Sequence, residues 1–197
     1  MSREIFEIVQ GMDLKNIETQ LALQCAPLIT GLKISNMLIV SNKDEKLVRI
    51  ILKRTGISCY RLLQNEKKIT LLLFRRNQLE KFLEREDVSE VLREEGYVEI
   101  QLGRILSIFQ MRYRAYMNGS KIFPHEMGLL LGYPLDDVTG FIEQKGKNYL
   151  YAGYWKVYTN MGEKICLFQA FEEAKEVLIQ AVARGIRIEE LVRGCVA

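Results

Sequence analysis

The chain has 197 residues, 48% of them hydrophobic and 27% charged, and a formal net charge of +3. That length suits one well-buried core, and the charge is too mild to signal a nucleic-acid partner. No apolar run approaches the roughly 18 residues of a membrane span, so neither nucleic acid nor membrane is an expected partner.

Met1-Ser-Arg-Glu-Ile-Phe-Glu7 lacks the apolar core of a secretory signal, which makes the cytoplasm the expected compartment. Further along, Asp13 is a candidate helix cap ahead of Leu14, Ile17, Leu21 and Leu23. Pro27 suits the first turn of a second short helix that Gly31 closes. Asn36 to Val40 is a short apolar run that predicts a buried strand, and Asp44 to Thr55 has helical periodicity ending at Gly56. Ile57–Leu63 and Ile69–Phe74 flank five polar residues and predict a hairpin. Helices follow from Asn77 and from Val88 to Glu95, and Leu102 to Met117 spaces its apolar residues as one amphipathic helix. Two short helices are expected at about 124–131 and 136–145, separated by Gly132-Tyr-Pro134. Tyr149 to Tyr158 reads as an aromatic strand, ahead of a long helix to Gly185 and a last short one over 186–192. The sum is an α+β single domain over 1–197, with a small, about four-stranded, largely antiparallel sheet covered by helices.

Four cysteines (Cys25, Cys59, Cys166 and Cys195) are scattered without a Cys-x-x-Cys pair, which excludes a zinc knuckle and a dithiol redox motif. Glycine spacings match neither a P-loop nor a dinucleotide fingerprint, and His125-Glu126 lacks the second histidine of a zincin. No metal and no cofactor is expected.

Several strings carry a resemblance. They are Cys25-Ala-Pro with Lys33, Phe123-Pro-His-Glu-Met-Gly128, Leu131-Gly-Tyr-Pro134, Asp136-Asp-Val-Thr-Gly-Phe-Ile142 and Gly153-Tyr-Trp-Lys-Val-Tyr158. Over about residues 20–175 the chain resembles an uncharacterised bacterial family of the domain-of-unknown-function class, similar to small cytoplasmic proteins of anaerobic Gram-positive bacteria. The resemblance implies a single domain and no particular reaction.

His125 is the only histidine, so any imidazole chemistry passes through it. In the first turn of a helix it is expected to be a neutral imidazole, with Asp137 or Glu126 as its orienter. Asp136 and Asp137 are equally helix-capping carboxylates. If a helix starts near Pro27, the Cys25 thiol gains nucleophilic character; the competing reading is a small core residue. Strand alternation puts Tyr154, Lys156 and Tyr158 on one face as a seat for an anion, or as a solvent-facing strand. Arg112, Arg114 and Lys121 lie among tyrosines, but the two arginines point to different sides of a helix, which favours a solvated helix.

Two functions follow as expectations. The first is a cytoplasmic binding module with a pocket around His125 for a small anionic ligand or a protein partner, using Glu126, Tyr154, Lys156 and Tyr158. The second is a thiol-dependent hydrolase or acyltransferase with Cys25, His125 and Asp137 as nucleophile, base and orienter.

Overall fold

The computed structural model describes residues 2–194, with side chains as far as Val192; Cys195 lies outside the described residues. The protein is α+β, with two small antiparallel sheets among many helices. The chain forms two compact units, one from the residues up to Arg75 together with those from Gln169 onward, the other from Arg76 to Phe168.

In the first unit, β1 (Ser35–Ser41), β2 (Ile57–Gln64) and β3 (Lys68–Arg75) form a sheet in the order β1-β3-β2. Both pairings are antiparallel. Being central, β3 is buried continuously from Ile69 to Phe74, which is why its sequence is an unbroken apolar run and not an alternating one. The β2–β3 hairpin closes through Asn65, whose Oδ1 accepts from the backbone N–H groups of Lys67 (2.9 Å) and Lys68 (2.7 Å).

Helix α1 (Arg3–Gly11) is capped by the Ser2 hydroxyl. Helix α2 (Ile17–Ile29) is capped by Asn16, whose Oδ1 accepts from Glu18 N at 2.8 Å and Thr19 N at 3.3 Å. Asp13, the expected cap, instead accepts from Lys15 N in the preceding turn. Helix α2 runs unbroken through Pro27, so the second helix expected there does not exist and Cys25 sits inside a helix, not at its start. The reason is energetic: a helix-interior proline costs about 3 kcal/mol, and α2 is buried along most of its length. Gln24 projects from α2 to the edge of β1, donating to Ile39 O (3.3 Å) and accepting from Ile39 N (3.1 Å). It thus occupies backbone groups that an open edge would offer to another strand. Helix α3 (Glu45–Leu52), the part of α9 (Met161–Ala183) from Gln169 onward and α10 (Ile188–Gly194) complete the unit around a core that includes Leu21, Ala22, Cys25, Leu38, Leu71 and Ile179.

The second unit holds α4 (Arg76–Leu83), α5 (Glu86–Glu94), α6 (Leu102–Met117), α7 (Met127–Leu130) and α8 (Leu135–Glu143). The first residues of α9 (Met161–Ala183) belong to it as well. The ten-residue strand expected over 149–158 is instead a tight hairpin, β4 (Tyr151–Ala152) with β5 (Lys156–Val157). Gly153 N donates to Trp155 O at 3.0 Å across the reversal. Alternation needs an uninterrupted strand, so Tyr154, Lys156 and Tyr158 do not form one face. The sheet expected to have about four strands is therefore one of three plus this ribbon.

Gly140 lets α8 approach Tyr158. A Cβ there would lie 2.6 Å from Tyr158 Cγ and 2.7 Å from its Cβ, atoms too close to the backbone to swing aside. Gly140→Ala is expected to destabilise the protein by about 1–3 kcal/mol through overpacking. A thermal melt checks it, and an unchanged midpoint would contradict the packing described.

Candidate functional site

A hollow of about 200 Å³ opens within the second unit. Aromatic and aliphatic side chains wall it (Phe123, Met127, Tyr133, Val138, Phe141 and Trp155), and His125, Asp137 and Lys156 bring an imidazole, a carboxylate and an ammonium to its lining. His125 precedes α7 instead of standing in its first turn, and α7 is only four residues long. The expected helix-dipole control of the imidazole therefore has no basis. The ring is held by neighbours: its centroid lies 5.3 Å from that of Phe123 and 5.8 Å from that of Phe141. Its Nδ1 is buried and has no hydrogen-bond partner.

The turn from α7 into α8 builds the opposite wall. Gly132 adopts φ +68°, and Tyr133 N donates to Gly128 O at 2.9 Å. Tyr133 then stacks on Trp155, with centroids 4.7 Å apart and planes 28° from parallel. Trp155 meets Phe168 edge-on at 4.6 Å and donates its Nε1–H to Asp137 Oδ2 at 2.7 Å.

Asp137 stands in the first turn of α8 with its carboxylate sealed from solvent. Its Oδ1 accepts from Tyr158 N (2.8 Å) and Thr159 N (3.3 Å), and Lys164 Nζ is 3.5 Å from Oδ2. Those partners pin the β4–β5 hairpin to α8. Asp137 thus shares the hollow with His125 but spends its oxygens elsewhere. Asp136 accepts from the Thr159 hydroxyl and lies 3.9 Å from Lys164. Burial pushes its carboxyl upward, but the hydroxyl and the ammonium prevail and hold it below the usual range.

Lys156 donates to Gly146 O at 2.7 Å, and its Nζ stands 4.7 Å from the Tyr149 ring and 5.8 Å from that of Phe141. Its aromatic neighbours are these two and not Tyr154 and Tyr158. Tyr154 packs on Phe168 at 5.5 Å, and Tyr158 lies against Gly140; neither lines the hollow.

Glu126, beside His125 in sequence, faces a second recess. Its carboxylate is buried, and Oε1 accepts from Tyr97 OH (2.8 Å) and Arg112 Nη1 (3.0 Å). Arg112 also donates to Glu95 O at 2.7 Å and lies 4.8 Å over the Tyr97 ring. Burial and the adjacent carboxylate push the Tyr97 hydroxyl's pKa upward. Arg112, expected on a solvated helix face, is a committed structural cation.

Cys25 lies in the other unit, fully buried in α2. Its Sγ is 3.9 Å from Met37 O and receives Asn36 Nδ2–H at 3.5 Å. Burial pushes the thiol up to about 12, and burial lowers nearby Lys33 to about 8. A thiol that stays protonated and enclosed is not a poised nucleophile. Alkylation of the native protein at pH 8 is expected to modify Cys166, exposed on α9, and to spare Cys25, as read by peptide mapping. Rapid labelling of Cys25 would reverse this assignment.

The aromatic wall was the part of the site that sequence reasoning missed. Its only linear sign is the density of aromatic residues around the glycine and proline punctuation.

Fold and site together define an α+β protein with an aromatic-walled hollow beside a lone histidine. The chain belongs to the family described as Protein of unknown function (DUF3793), which matches residues 21–192. No curated protein and no solved structure matches it. Among the described residues, no helix is long and apolar enough to cross a membrane.

Proposed function

We propose that the protein is a cytoplasmic binding module whose ligand, a small molecule built on a single ring, enters the hollow beside His125. The family match extends across both units, which supports treating the chain as one domain. The observation that carries the functional reading is an apolar, aromatic-walled hollow with Lys156 on its lining. Ligand sites are typically apolar with few polar groups that fix orientation.

Size narrows the occupant. Drug-sized ligands occupy roughly 300–1,000 Å³, whereas an apolar cavity of about 150 Å³ holds one benzene ring. At about 200 Å³ the hollow suits one ring with a short substituent. The thiol-dependent alternative has no such support, because Cys25 is enclosed and protonated.

Methyl NMR tests the reading. Met127 lines the hollow, while Met111 is exposed on α6. Titration with 2-phenylethanol is expected to shift the Met127 methyl saturably and leave that of Met111 in place. Equal, unsaturable shifts at both would remove the proposal.

A further inference from the structure

Resting on that reading, we infer that the hollow selects an aromatic carboxylate: one ring among Phe123, Phe141 and Trp155, with its anionic end directed to Lys156. Charge balance around the hollow carries the inference. The sealed Asp137 carboxylate is already matched by Lys164 at 3.5 Å and by N–H donors from Trp155, Tyr158 and Thr159. Lys156 has no such match. Among the described residues its partners are the Gly146 carbonyl and the faces of Tyr149 and Phe141, and no carboxylate reaches it. One neutral acceptor leaves two of its three N–H donors available.

Lys156 also stands at the aromatic wall: its Nζ is 5.8 Å from the centroid of Phe141, the ring against which the His125 imidazole packs. A carboxylate accepts a charge-assisted hydrogen bond from the ammonium. A hydroxyl satisfies the ammonium less well, and a ligand ammonium would meet Lys156 with like charge.

Three compounds that share a ring and differ in the tail separate the cases: phenylacetate, 2-phenylethanol and 2-phenylethylamine, titrated calorimetrically into the full chain. Phenylacetate is expected to bind about tenfold more tightly than 2-phenylethanol, the gain expected of charge-assisted over neutral hydrogen bonds, and the amine most weakly. Lys156→Met is expected to abolish the preference, so that phenylacetate and 2-phenylethanol bind the variant within about twofold of each other. Because that variant loses the bond to Gly146, the wild-type salt dependence supplies a second readout: added salt weakens phenylacetate and spares the alcohol. Equal or tighter binding of the alcohol or amine overturns the inference and leaves the pocket reading intact. Failure of all three to bind overturns both.

Discussion

Asp137→Ala is expected to destabilise the protein by about 3–5 kcal/mol, the range for removing one member of a buried, hydrogen-bonded ionic group. The carboxylate is fully enclosed and serves Trp155 Nε1, the N–H groups of Tyr158 and Thr159, and Lys164. An alanine leaves these donors without their acceptor, and each buried unsatisfied donor costs about 1–3 kcal/mol. The loss also frees Trp155, the only tryptophan, from the anchor that sets it against Tyr133. Tryptophan emission should therefore red-shift in the native state, and the melting midpoint should fall by on the order of 10 °C. Asp137→Asn keeps one acceptor oxygen but turns an NH₂ towards existing donors, so it should fall between the two. A melting point within a degree or two of wild type would mean that Asp137 does not hold the hairpin on α8.

Glu126→Ala should cost somewhat less, about 2–3 kcal/mol, because Arg112 keeps partial access to water while Tyr97 does not. The variant strands the Tyr97 hydroxyl and removes the charge that fixes the guanidinium over the tyrosine ring. The segment from Phe123 to Met127, which carries the imidazole, would lose its tie to α6. Glu126→Gln retains an acceptor for Tyr97 and is expected to recover about half of the loss. Equilibrium denaturation followed by tryptophan emission reads both variants in the unit that holds the site. If alanine and glutamine prove equally harmless, Glu126 is not the anchor described.

The parts of the fold legible in the sequence were those fixed by local chemistry. Asn65 supplied the turn of the β2–β3 hairpin, the apolar spacing from Leu102 to Tyr113 marked α6, and Gly96 and Gly146 ended helices with positive φ. Pro27 misled, because its local penalty is small beside the burial of α2. The reversal at Gly153 was hidden by aromatic residues that suit a strand equally well. His125 stood out by chemistry alone, but its surroundings depend on contacts distant along the chain. The Glu126–Arg112 and Glu126–Tyr97 bonds span 14 and 29 residues, and the Asp137–Trp155 bond spans 18. Periodicity does not report such pairings. Asp137 and Lys156 were recognisable as candidates, but whether their charges were already matched depended on partners only the fold brings together.

The central claim is that a single ring fits the hollow against Trp155. Emission from this one tryptophan, followed during titration with 2-phenylethanol, measures it most directly. Wild type is predicted to show a saturable change with a dissociation constant in the range of about 0.01–1 mM, as ligand efficiency allows for so small a molecule. Val138→Phe, which fills the hollow, is predicted to abolish that change while keeping a cooperative melt. An emission signal that never saturates, or one that survives the filled variant, would contradict the account.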